Sequence, residues 1–172
     1  MADAVDSATV TSPNDGLGRG VLIAMIPVNL IMLAWVWFGR LFFGAGGWFL
    51  LILLYVLPFA FLALGLTTLL GFLRSPSPKA LTRSQAITQL TVWGGMWVLG
   101  FFLVDFGDAD NSDLSAFTQV VGRNDVTLGI SWTLAIAGAL VAVVAWVVLL
   151  VMLIAQRRTP GPAYDAPVTT SA

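Results

Sequence analysis

The chain has 172 residues, of which 58% are hydrophobic and 10% are charged, and its mean hydropathy is +0.91. Soluble domains carry roughly 25% charged residues, so this composition is typical of membrane proteins. The net charge of -1 offers no basic surface to nucleic acid, which excludes that class of partner.

Cysteine, histidine and glutamate are absent from the sequence. Their absence removes the usual ligands of zinc, haem and iron–sulfur clusters, together with the commonest nucleophile and general base. We therefore expect neither a cofactor nor a catalytic site in this chain.

Four apolar runs follow one another along the chain, at about 20–38, 48–73, 86–106 and 129–155. As a helix, each is long enough to cross a hydrocarbon layer of about 30 Å, which takes about 20 residues. The sequence thus predicts an all-α membrane protein with a four-helix transmembrane bundle over 20–155.

Polar segments flank this bundle. The segment 1–19 is acidic and lacks the basic start of a signal peptide, and 156–172 is rich in proline and small polar residues. Both are predicted to be flexible cytoplasmic tails.

Lysine and arginine favour the cytoplasmic side of a membrane. With both termini cytoplasmic, Arg40 and Arg123 face outward, and the other cations face inward: Arg19, Arg74, Lys79, Arg83, Arg157 and Arg158. The composition suggests a bacterial plasma membrane.

The first and third runs contain the polar residues of most interest. Asn29 lies within the first run, where an amide can hydrogen-bond to another helix. In the third run, helical spacing predicts two adjacent polar faces. One face holds Gln85, Gln89, Trp93 and Trp97, and the other holds Ser84, Thr88, Thr91 and Gly95. Asn29, Gln85, Thr88 and Gln89 are accordingly our candidates for polar helix packing or a solute pathway.

The fourth run carries small residues at steps of four, which let two helix backbones approach closely. This predicted packing seam consists of Ser131, Ala135 and Ala139, with Gly138, Ala142 and Ala145 beside it. We expect it to lie at the centre of the bundle.

The segment 107–128 is the largest hydrophilic loop and is predicted to face outward. Asp108, Asp110 and Ser112 are spaced like the first half of a calcium-binding loop, but Asp113 stands in place of its glycine and Gln119 in place of its closing glutamate. Only low-affinity cation binding by Asp108, Asp110 and Asp113 is therefore expected. Asp105 is expected to reach the headgroups without a partner. Apolar residues at helical spacing then predict a short amphipathic helix, which ends at Gly122 and carries Leu114, Phe117, Val120 and Val121.

These features favour a non-catalytic role as an accessory, scaffold or modulator subunit, with a membrane-protein partner or a second copy of the chain in the bilayer. Two alternatives remain open. A small-solute permease would act as a homo-oligomer and use Asn29, Thr67, Thr68, Gln85 and Gln89. A lipid-active enzyme would use the aspartates between 105 and 113.

Overall fold

The computed structural model of the protein describes residues 14–75, 79–107 and 113–156. Within these ranges every regular element is a helix, in agreement with the predicted all-α class. The α-helices are α1 (Asn14–Phe38), α2 (Phe49–Arg74), α3 (Arg83–Phe102), α4 (Ala116–Val121) and α5 (Asp125–Ala155), and a 3₁₀ helix (Gly39–Phe43) follows α1 directly.

Among the described residues, three helical stretches are long and apolar enough to span a membrane: Gly16–Phe43, α2 and α5. They support the prediction of a transmembrane protein. The helix α3 is less apolar because two glutamines, two threonines and one serine interrupt it. The helix α3 is therefore not among the three candidate spans of the described residues.

The helices begin and end differently from the predicted runs. The helix α1 already starts at Asn14, inside the segment predicted to be a flexible tail. The helix α3 starts at Arg83 because Thr82 and Gln85 form a capping box: the Thr82 hydroxyl accepts from the Gln85 N–H at 3.3 Å, and the Gln85 side chain accepts from the Thr82 N–H at 3.0 Å. The predicted tails 1–13 and 157–172 lie outside the described residues.

The closest helix pair is α3 with α5. Gly95 faces the α5 backbone so tightly that a Cβ atom on it would lie 2.7 Å from Ala142 N and 2.8 Å from Gly138 O. Ser131 and Ala135 are buried, whereas Ala139 lies beside the buried stripe and faces α2. The buried residues of α5 are Thr127, Ser131, Ala135, Gly138, Ala142, Ala145, Leu149 and Leu153.

The helix α1 packs on another face of α3. There the Trp35 ring stacks on Trp97, with 6.4 Å between ring centroids, and the Trp35 indole N–H donates to the Trp97 carbonyl at 3.1 Å. The helix α2 lies at the edge of this group. In its most apolar 18-residue stretch 6% of the residues are buried, against 33% for α1 and 22% for α5. A long apolar helix therefore remains largely uncovered by the rest of the chain.

Candidate functional site

A buried cluster of polar side chains joins α1, α2 and α3, with Asn29 at its centre. The Asn29 amide nitrogen donates to Thr68 Oγ1 at 3.0 Å. Its carbonyl oxygen accepts from Trp93 Nε1 at 2.7 Å and from Gln89 Nε2 at 3.3 Å. One amide thus connects three helices, as expected of polar residues that join membrane helices.

This polar cluster lies at hydrocarbon depth. Asn29 follows Arg19 by ten residues along α1, which corresponds to about 15 Å of helix. Thr68 precedes Arg74 by six residues along α2, or about 9 Å. Asn29 is 5% exposed and Gln89 is fully buried. A polar group is costly to hold at this depth unless it is hydrogen-bonded, so the bonds to Asn29 stabilise the cluster. Gln89 is paired only through Nε2, since its buried Oε1 has no partner among the described residues.

The cluster borders a groove between α1 and α2 with a volume of about 420 Å³. Asn29 and Thr68 are the polar side chains among the described residues that line it, and apolar side chains and Gly65 form the remainder. A second groove of about 580 Å³ adjoins it toward the 3₁₀ helix and shares Leu30, Leu33 and Phe61 with it.

The structure brings together two of the four predicted polar candidates. Asn29 and Gln89 bond to each other, whereas Gln85 serves in the capping box of α3. Thr88 donates to the Ser84 carbonyl of its own helix at 2.8 Å and contacts Met152 Sδ of α5 at 3.9 Å. Two residues proposed for a permease also differ in role: Thr68 joins the cluster, and Thr67 donates to the Leu64 carbonyl at 3.0 Å.

Trp93 was absent from the predicted candidates although it forms the shortest of the bonds to Asn29. Its helical spacing already places it on one face with Gln85, Gln89 and Trp97. That spacing indicates a shared face but does not identify the opposing residue on α1.

At the end of the bundle where α2 begins, the expectation for Asp105 was wrong. The helix α3 ends at Phe102, and Asp105 lies in the following turn, where it is 1% exposed. Its Oδ2 atom lies 3.2 Å from Nε of Arg40, which is fully buried as well. Asp105 therefore has a charged partner inside the protein instead of reaching the headgroups.

Asp105 also binds the start of α2. Its carboxylate accepts from the N–H groups of Gly47 at 2.7 Å and Phe49 at 2.8 Å, and from the N–H group of Phe106 at 2.9 Å. A carboxylate at a helix N-terminus satisfies N–H groups that lack an intrahelical acceptor and interacts favourably with the helix dipole. Gly47 has no space for a side chain, because a Cβ atom there would lie 2.8 Å from Asp105 Oδ1.

The predicted cation site is not assembled within the part of the chain that the structure describes. Asp108 and Asp110 lie outside the described residues. Asp113 is exposed, and its carbonyl accepts from Arg123 Nε at 3.3 Å. No three acidic side chains of the described ranges come close enough to hold a metal ion.

No protein-family model, curated protein or solved structure matches this chain. Its function is therefore argued from its own geometry.

Proposed function

We propose that this protein is a non-catalytic accessory, scaffold or modulator subunit of a membrane complex, and that α2 binds a transmembrane helix of another protein. The observation that carries this proposal is a row of exposed apolar side chains on α2, here called the outer stripe. It consists of Ile52, Tyr55, Phe59, Leu62, Leu66, Leu69 and Leu73.

The spacing of the outer stripe supports a partner helix. Successive residues of the stripe lie three and four positions apart in alternation, which gives a mean period of 3.5. This period keeps one face of a helix against a neighbouring helix when the two form a left-handed supercoil. The two aromatic residues of the outer stripe are its most exposed members, Tyr55 at 78% and Phe59 at 74%. Aromatic side chains with this exposure are enriched at the cores of protein interfaces.

Tyr55 adds a polar argument. It follows Phe49 by six residues, so its Cα atom lies about 9 Å along the helix from the start of α2. No hydrogen-bond partner for the Tyr55 hydroxyl exists among the described residues, and hydrocarbon offers none. A polar group on a neighbouring helix would satisfy it, as is usual for buried tyrosine.

We further propose that α3 is a fourth span and that both termini lie in the cytoplasm of a bacterial cell. The fully buried side chain of Gln89 supports this arrangement, because α1 shields it from lipid. Six of the eight basic residues then lie on the inner side. In this arrangement α4 lies at the outer surface as an interfacial helix, with Val120 and Val121, 63% and 59% exposed, toward the membrane.

Cross-linking from single cysteines tests the partner, because the chain has no cysteine of its own. Phe59→Cys places a thiol on the outer stripe. Ile136→Cys on α5 is the matched control, since Ile136 is 56% exposed and both residues lie about 15 Å from the outer ends of their helices. Each variant is produced at native level, labelled in native membranes with a membrane-permeant maleimide that carries a benzophenone, irradiated, and analysed by mass spectrometry. The benzophenone inserts into C–H bonds, so the partner helix needs no amine at this depth.

The expected result is one stoichiometric adduct with a different protein from Phe59→Cys and none from Ile136→Cys. Adducts only between copies of this chain, or equal adducts from both positions, would overturn the proposal. An adduct between copies alone would favour the homo-oligomeric permease.

A further inference from the structure

We propose that the inner groove between α1 and α2 is a binding site for a lipid alcohol, a neutral molecule with one hydroxyl group on an apolar body, which enters from the bilayer. The inner groove is the cavity of about 420 Å³ that Asn29 and Thr68 line. This proposal does not require a partner for α2, because the groove is formed by α1 and α2 of this chain and shares only Leu69 with the outer stripe.

The polar atoms of the groove have unused hydrogen-bonding capacity of two kinds. An asparagine amide nitrogen carries two N–H groups, and within the described residues Asn29 uses one of them, on Thr68. The Thr68 hydroxyl donates to the Leu64 carbonyl at 2.8 Å and accepts from Asn29. A hydroxyl oxygen has two lone pairs, so one lone pair of Thr68 remains.

A hydroxyl group is the smallest neutral group that matches both atoms, because it carries a donor and an acceptor on one oxygen atom. It accepts from the second Asn29 N–H and donates to the remaining lone pair of Thr68. A ketone, an ester or an ether has only acceptors and satisfies Asn29 alone. Carboxylates, phosphates and ammonium groups are disfavoured, because no charged side chain of the described residues lines the groove and an unpaired charge is costly at this depth.

The remaining walls fit an apolar body. They include Met25, Ile26, Phe61, Leu69 and Phe72. The volume lies within the range of roughly 300–1,000 Å³ that small-molecule sites occupy, and such sites combine apolar walls with few polar groups. The adjoining groove of about 580 Å³ continues along both helices toward the outer face and provides an apolar path for a tail.

Gly65 leaves the entrance open. A Cβ atom built there meets no described atom within 4 Å, although the residue lines the groove. A Cβ atom therefore fits at this position, and Gly65→Leu is designed to place an isobutyl group in the groove while keeping Asn29 and Thr68. Gly94→Leu is the matched control, because Gly94 is an exposed helical glycine of α3 with equally open space and lies outside the groove.

The test is photolabelling of the purified full chain in phosphatidylcholine vesicles. The probe is a long-chain primary alcohol with a diazirine in its chain, and the comparison probe is its methyl ether, which keeps the acceptor and lacks the donor. Labelled peptides are identified by mass spectrometry, and the unlabelled alcohol serves as the competitor.

We expect the alcohol to label residues 25–33 and 61–72 and the methyl ether to do so about tenfold less, since one hydrogen bond in an apolar site is lost. Gly65→Leu should lose this labelling and Gly94→Leu should keep it. Thr68→Val should reduce the preference for alcohol over ether to about one. Equal labelling by both probes in the unmodified protein, or full labelling in Gly65→Leu, would overturn the proposal.

Discussion

Arg40 and Asp105 form an ion pair, with 3.2 Å between Nε and Oδ2, in which both side chains are buried. The pair joins the 3₁₀ helix after α1 to the turn after α3. Because the same carboxylate binds Gly47 and Phe49, it also fixes the start of α2. One carboxylate thus connects the ends of α1 and α3 with the start of α2.

Asp105→Ala is expected to lower the free energy of unfolding by about 3–5 kcal/mol, because it leaves a buried guanidinium unpaired and removes the acceptor of three backbone N–H groups. Arg40→Met should cost less, since Asp105 keeps its bonds to Gly47, Phe49 and Phe106. Reversible unfolding in mixed detergent micelles measures both values.

Asp113→Ala is the control for these two variants. It should change the free energy of unfolding by less than about 0.5 kcal/mol, because Asp113 is exposed. Equal losses in Asp105→Ala and Asp113→Ala would contradict the structure.

Asn29→Leu is expected to destabilise the protein by about 2 kcal/mol, because it removes the acceptor of the Trp93 and Gln89 N–H groups and the donor to Thr68. Thr68→Val removes one of these bonds and should cost about 0.6 kcal/mol, the average for interhelical hydrogen bonds in a membrane protein. The same unfolding measurement applies. Thr91→Val is the control, since the exposed Thr91 hydroxyl bonds only within its own helix among the described contacts, to the Ile87 carbonyl at 3.0 Å. A larger loss in Thr91→Val than in Asn29→Leu would argue against the cluster.

The two polar groupings show what the sequence could predict. The periodicity of α3 correctly places Gln89 and Trp93 on one face, because helical spacing is a local property of the chain. Their contact with Asn29 depends on how α1 packs against α3, which no local pattern contains. The apolar runs locate α2 and α5 well for the same reason: lipid contact is a property of each segment alone.

The prediction for Asp105 was wrong for a related reason. An aspartate at the end of an apolar run is commonly solvated, and the residue that neutralises it lies far away in the sequence. Its burial depends on the early end of α3 at Phe102 and on the turn that returns through Gly47 and Phe49. Both features arise from tertiary packing.

Gly95→Ala is expected to destabilise the protein by about 1–3 kcal/mol, because the new Cβ atom would lie 2.7 Å from Ala142 N and force α3 and α5 apart. The neighbouring Gly94→Ala provides a matched control with the opposite sign. Its Cβ atom meets no described atom within 4 Å, so the lower flexibility of alanine should stabilise the helix by up to about 1 kcal/mol. Unfolding curves for the two variants separate the effects. Equal and small changes at both positions would mean that α3 and α5 are not in close contact.

The number of membrane crossings is decided by α3, whose glutamines lower its apolar character. If α3 crosses the membrane with the three more apolar helices, both termini lie on one side, whereas three crossings place them on opposite sides.

Single cysteines at Ser7, Asp113 and Ser171 are treated with a membrane-impermeant maleimide. Ile136→Cys serves as the control position that the bilayer covers. We expect Asp113→Cys to react in intact cells, Ser7→Cys and Ser171→Cys to react only after permeabilisation, and Ile136→Cys to stay unmodified. Reaction of only one terminus in intact cells would exclude a fourth span. The expected result follows from the bond between Gln89 and Asn29, because a glutamine that is paired inside the bundle no longer prevents its helix from lying at hydrocarbon depth.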